Sequence, residues 1–419
     1  MSNFLKEDYV RIKHPSGLNV LIWKKPGFST VEAFFAAKYG SVNTRFKTVD
    51  NDDYVTTPEG IAHFLEHKLF ENEDCDAFEL YAQTGASANA YTSEDHTAYY
   101  FATSEDYKKP LEILLNFVQK PYFTEETVQK EQGIIAQEIK MLEDSPERKC
   151  YCNLLKALYK NNPIRVDIAG TVDSISRINA DLLYKCYNTF YNLHNMTLAV
   201  AGDVDVEEIK KICDKCLIPA EDKKLEPYFP DEPEEVYQKE INESAQVGIP
   251  IFNIGFKTQK FSGDELIKTD IAASIILQVL FGSSSELYQQ MLDEGLINSN
   301  FNYFTTFNIH GDYIPIITGE SENPELVYEK CMDAVNNAKK SGLDRKMFEI
   351  IKKAKYSSFI RGYDDIDTCA TLLLTADFLN VDVFESSKAL MEISYEDCMK
   401  AMNILFDTDK TAISIIDNK

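Results

Sequence analysis

The hydrophobic positions of this chain change period several times, and each change marks an element. Residues 9–12 and 18–23 read as the two strands of a hairpin, with His14-Pro15-Ser16-Gly17 as its turn. Residues 31–38 predict a third strand, closing at Tyr39-Gly40-Ser41. A polar segment with Asp50, Asn51, Asp52 and Asp53 leads into residues 61–70, where Ile61, Ala62, Phe64, Leu65, Leu69 and Phe70 make a helix apolar nearly all round. Such a helix is buried. Thr57 is its candidate cap, and Pro58 fits its first turn. Residues 76–83 continue helically until Gly85, residues 98–102 read as a buried strand, and residues 110–120 form an amphipathic helix with Leu111, Leu114, Leu115 and Val118 inward.

The helix predicted over residues 125–143 is unusual. Val128, Glu131, Ile135, Glu138 and Leu142 step by three and four and form one stripe, yet two of the five are glutamates. Lys130, Gln132, Gln137 and Lys140 already supply a polar side, so the acids fall on the inward face unless the helix is rotated to bring them to solvent. A helix over residues 180–190 and a strand over 196–201 follow. Residues 221–243, rich in acids and holding Pro227, Pro230 and Pro233, read as a linker. Beyond it a strand (247–256), two helices (264–281, then to Glu294), two strands (300–307, 313–319) and two helices (323–340, 345–361) restart the pattern. Strand-then-helix order on both sides predicts an α+β fold with two similar domains in tandem, residues 1–220 and 244–419.

Chemistry concentrates in the buried helix. His63 and His67 stand one turn apart on one face, and Glu66 shares it. Two imidazoles so placed can hold one Zn²⁺, and a carboxylate beside them can take a proton from a water that the metal activates. The plainer alternative is a core helix whose histidines bond to neighbours. Buried acids on the 125–143 stripe also need a cation or a donor; a metal in want of a third ligand would answer for one of them.

Composition narrows the partners. A net charge of −25 over 419 residues argues against nucleic acid or an anionic membrane surface and mildly favours basic ligands. The longest apolar run, residues 271–281, is interrupted by Ser274 and Gln278 and is too short to span a bilayer. The amino-terminal residues have neither the basic start nor the apolar core of an export signal, so a cytoplasmic, bacterial setting is expected. Nine scattered cysteines fit reduced thiols, with Cys213-x-x-Cys216 structural in a helical setting. No P-loop or dinucleotide fingerprint is present.

With His63-x-x-Glu66-His67 and Glu138 in hand, the chain resembles the pitrilysin/insulinase family of inverzincin metallopeptidases. Gly40-Ser41, Gly60-Ile61-Ala62, residues 85–92, Thr97-Ala98-Tyr99, Glu131 with Glu138 seven residues on, Ala169-Gly170-Thr171 and Asn195-Met196 resemble family landmarks. The wording around residues 62–70 and 131–138 is similar to that of the short YmfH-type cytosolic members. The resemblance implies a half-molecule of the family's clamshell and one zinc per chain. His63, His67 and Glu138 would be the ligands, Glu66 the general base, and Glu131 a residue that orients a ligand. Asn89 and Ala90 would lie on an edge strand that pairs with the backbone of an extended peptide.

One departure bears on partners. The resemblance implies an Arg and, seven residues later, a Tyr in the second domain; in this chain the Arg position falls on Leu292 or a neighbour and the Tyr position near Asn298. Neither offers a cationic or phenolic donor to an oxyanion. The expectation is therefore a zinc endopeptidase acting on short or unstructured peptides, as the zinc-bearing subunit of a heterodimer with a paralogue that lacks the zinc motif. A homodimer would be slow or inactive. A non-catalytic peptide-binding or scaffold subunit is the alternative, but such members typically lose a ligand or the base. A purely structural zinc site would want a closed, Cys-rich set of four ligands.

Overall fold

The computed structural model describes residues 7–47, 53–73, 75–223 and 225–418; residues 1–6 and Asp50, Asn51 and Asp52 of the polar segment lie outside them. Two compact units form, each mixing helices with an open sheet. The first gathers Met1–Ile139, Asp167–Phe229 and Arg361–Val383, and the second Lys140–Val166, Pro230–Ile360 and Phe384–Lys419.

The first unit contains β1 (Val10–Lys13), β2 (Asn19–Lys24), β3 (Val31–Ala37), the small ribbon β4 (Arg45–Lys47) and β5 (Tyr54–Thr56), then β6 (Ser87–Thr92), β7 (Thr97–Thr103) and β8 (Met196–Gly202). Its main sheet runs β1-β2-β8-β3-β7-β6, with β2 and β8 parallel and the other pairs antiparallel. The second unit contains β9 (Glu240–Ser244), β10 (Ile251–Phe256), β11 (Asn302–Phe307), β12 (Tyr313–Glu320) and β13 (Thr411–Asp417), ordered β11-β12-β10-β13-β9 with β9 parallel to β13. Reading β9 to β13 against β2, β3, β6, β7 and β8 gives the same order and the same strand directions. The tandem repeat predicted from element order is therefore present over these five strands, while β1 and the β4–β5 ribbon have no counterpart among the described strands of the second unit.

Two sequence boundaries need correction. Glu240–Ser244 belongs to the second sheet rather than to a linker; it is a polar strand at the sheet's border, exposing alternate residues. The units are also not the contiguous halves 1–220 and 244–419. All seven residues of β3 are buried, so its sheet needs cover on both faces, and the helix Ile366–Leu379 packs on β2, β3 and β8. Asp377 pins it there, accepting from Thr197 Oγ1 (2.5 Å) and Asn19 Nδ2 (3.2 Å) and pairing with Arg11 (2.8 Å). Pro146–Leu158 packs in the same way on β10 and β13 of the second unit. No single helix among the described residues is long and apolar enough to cross a membrane.

Glu32 on β3 is buried close to Asp367 and Asp365, which open the Ile366–Leu379 helix. Burial first, and those two acids next, push its carboxyl from 4.5 up to about 7. A raised carboxyl favours the folded state while it is protonated, so this contribution is whole below pH 4.5 and is lost as pH climbs through about 7. Glu32→Gln removes the titration. Thermal melts are expected to show the variant a few degrees more stable than the parent at pH 8 and level with it at pH 4.5. Equal differences at both pH values would show that Glu32 is not the group that titrates.

Candidate metal centre

The histidine helix starts where a distant loop lets it. Gly60 is its cap, at φ 87°, with no side-chain hydrogen bond at the helix start; Thr57 instead donates to Thr44 O (3.2 Å), so the expected cap is corrected. A Cβ on Gly60 would lie 2.4 Å from Ala169 O, and one on Gly170 (φ 72°) would lie 2.5 Å from Glu59 O. Ser174 Oγ also donates to Glu59 O (2.8 Å). Both glycines are thus needed for the backbones to touch, and that contact fixes where Ile61–Leu69 begins.

Within the helix Ile61, Ala62, Phe64, Leu65 and Leu69 are buried, as their pattern predicts. Lys68 is fully buried as well and pairs with Glu71, which the apolar pattern did not reveal; the i,i+3 spacing of opposite charges was the available signal. Opposite the helix, Glu125–Glu143 turns Val128 and Ile135 inward with Glu131 and Glu138, whose side chains are 14% and 30% exposed. The rotated, solvent-facing arrangement is not adopted.

His63, His67 and Glu138 converge. His63 Nε2 lies 3.5 Å from Glu138 Oε1, His67 Nε2 lies 3.5 Å from Glu138 Oε2, and one ligand atom from each residue falls within 4.8 Å of the others. Such separations are long for hydrogen bonds. They match the edge of about 3.4 Å that a tetrahedral ion with arms of about 2.0–2.2 Å requires. His67 Nδ1 bonds Glu131 Oε1 at 3.0 Å, which leaves Nε2 as the nitrogen that could coordinate an ion, while His63 Nδ1 is buried and has no hydrogen-bond partner among the described residues. Burial disfavours a charged His67, but the Glu131 hydrogen bond and the charges of Glu66, Glu131 and Glu138 outweigh it and hold its pKa above the ordinary value. The cluster attracts positive charge, and its mixed nitrogen and oxygen donors suit zinc.

Glu66 is 8% exposed, and its Oε2 accepts from Thr92 Oγ1 at 2.6 Å. Asn89 and Ala90 lie on β6, the border strand whose sheet partner among the described residues is β7. Beside them a cavity of about 560 Å³ is lined by Glu66, His67, Phe70, Phe78, Asn89 and Glu131 among others. In the second unit, Leu292 is 38% exposed and the Asn298 amide donates to Glu320 Oε2 (2.7 Å). There the helix Gly263–Phe281, which follows β10 as the histidine helix follows β3, carries Asp270, bonded to Thr305 (2.7 Å) and Tyr313 (3.0 Å) and under the charge of Lys355. That set offers no ligand trio.

If Glu131 fixes the His67 ring, Glu131→Ala is expected to weaken zinc binding by about 10–100-fold. Chelator competition measures it; unchanged affinity would mean that packing alone holds the ring.

An imidazole pair, one carboxylate ligand and an adjacent carboxylate make the donor set of a metallopeptidase. Comparison with known proteins agrees. The family described as "Insulinase (Peptidase family M16)" matches residues 54–172, and "Peptidase M16 inactive domain" matches residues 177–355. The chain is 36% identical over 421 residues to the "Uncharacterized zinc protease YmfH" of Bacillus subtilis (strain 168), spanning 98% of this chain and 96% of that protein. An M16-like peptidase from Alicyclobacillus acidocaldarius superposes with a TM-score of 0.95 at 32% identity, over 99% of both chains. Pitrilysin shares the fold, with a TM-score of 0.79 at 15% identity over 100% of this chain and 46% of that one. The chain belongs to the M16 insulinase family of zinc peptidases.

Proposed function

We propose that the chain is a zinc-dependent endopeptidase that hydrolyses short or unstructured peptides. The observation that carries this reading is the convergence of His63, His67 and Glu138 beside Glu66 and an open border strand. His63 Nε2, His67 Nε2 and Glu138 would hold one zinc, with Glu131 orienting His67. Bound there, zinc would polarise the scissile carbonyl and acidify the attacking water. Glu66, with Oε2 held by Thr92, would take that water's proton at Oε1 and pass it to the leaving amine.

The border strand supports the substrate class. A peptide must be extended to add to β6 at Asn89 and Ala90, which excludes most folded chains. The neighbouring cavity presents the stacked rings of Phe70 and Phe78, 4.4 Å apart, to an apolar side chain. Leu292 and Asn298 favour a second subunit that brings the Arg and Tyr donors, in a heterodimer with a zinc-motif-lacking paralogue. The acidic surface suits basic peptides.

The test is zinc analysis of the purified chain, followed by digestion of a mixed unstructured peptide library with and without such a paralogue. About one zinc per chain, with cutting that depends on His63 and His67, supports the reading. Zinc without cutting under either condition would move the chain to a peptide-binding or scaffold role.

A further inference from the structure

We propose that Thr92 is a positioning residue for Glu66: its hydroxyl locks one carboxylate oxygen so that the other is presented for proton transfer. The inference deepens the peptidase reading and rests on it. Thr92 is the last residue of β6, and its Oγ1 lies 2.6 Å from Glu66 Oε2, the length of a hydroxyl donating to an ionised carboxylate.

The direction of that bond follows from counting hydrogens, since each threonine hydroxyl has one. Thr97, across the hairpin from Thr92 and fully buried, donates to Tyr39 O at 2.8 Å. Its hydrogen is thereby committed. Toward Thr92, Thr97 Oγ1 can therefore only accept, and at 3.3 Å it competes poorly with Glu66 Oε2 at 2.6 Å for Thr92's one hydrogen. Glu66, 8% exposed, has little water to replace a lost donor.

Placement gives the bond its consequence. Ala90 precedes Thr92 by two residues, so both side chains lie on one face of β6, the face that packs on the histidine helix. The strand proposed to receive the peptide backbone and the hydroxyl that sets the base are thus one rigid element. Fixing Glu66 from that strand ties the base to the register of the bound peptide, where a displacement of about 1 Å can lower a rate by about 10²-fold.

Thr92→Val keeps the side-chain shape and deletes the donor; Thr92→Ser keeps the donor. On an unstructured peptide, with the full protein and any partner subunit it requires, Thr92→Val is expected to lower kcat by about 10–100-fold. KM should stay within about twofold and zinc content should be unchanged, while Thr92→Ser should return kcat to within about threefold of the parent. A second readout needs no activity. In metal-free protein, Thr92→Val should lower the melting temperature when Glu66 is present, and should have no such effect in a Glu66→Met background, where the acceptor is gone. Unchanged kcat, a loss carried by KM, no recovery with serine, or additive melting shifts would each overturn the role. An active parent with an unaffected Thr92→Val sinks this inference alone. A parent that binds zinc but cuts no peptide sinks the peptidase reading and this role with it.

Discussion

Glu66→Gln is expected to keep zinc in place and to lower peptide hydrolysis by about 10³-fold or more. The substitution preserves shape and leaves an oxygen that can still accept from Thr92 Oγ1, so the side chain should stay where it is. What it removes is the ability to take a proton near neutral pH. The three converging donors lie on His63, His67 and Glu138, none of which changes, so metal content should hold at the parent level. Elemental analysis and single-turnover rates on one peptide decide the matter. Activity within about tenfold of the parent would mean that a different group accepts the proton. Loss of zinc together with activity would mean that Glu66 coordinates the metal, and the assignment of Glu138 would then have to be reopened.

The parts of the site that follow chain period were legible in advance. His63, Glu66 and His67 sit on one turn, and the 131/138 stripe repeats after two turns, so local spacing alone faces these side chains the same way. That Glu138 rather than Glu131 meets both Nε2 atoms was not legible from spacing; it came with the resemblance, and the structure places the atoms. The cap was misread because Ser and Thr usually cap helices through local bonds. Here a backbone contact with Ala169 and Gly170, more than a hundred residues away, outweighs local preference. Glu240–Ser244 escaped notice because a border strand with alternating exposure and a polar sequence carries no apolar run; its register comes from β13, the last strand of the chain. The placements of Ile366–Leu379 and Pro146–Leu158 also could not be read from sequence. A sheet buried on both faces requires a covering helix, but no local pattern says which segment of the chain supplies it.

A paralogous half-molecule carrying Arg and Tyr in the stretch where this chain has Leu292 and, near the second position, Asn298 is expected to raise kcat/KM by at least about 10²-fold over the chain alone. The argument is one of missing donors. Hydrolysis of a peptide bond passes through a tetrahedral oxyanion, and removing one preorganised donor to such an oxyanion typically lowers the rate by about 10²–10³-fold. Leu292 has no polar atom beyond its backbone, and the Asn298 amide already donates to Glu320 Oε2 at 2.7 Å. Two copies of this chain would duplicate the zinc ligands without adding either donor. Rates should therefore rise with added paralogue to a plateau at a fixed ratio of the two subunits. Replacing the paralogue's Arg with Met should abolish the rise while leaving the complex intact by sedimentation. A chain that cuts at the same rate with and without the paralogue would show that its own second unit supplies the donors from residues other than Leu292 and Asn298. A complex that forms without any gain in rate would make the paralogue a binding partner rather than a contributor to catalysis.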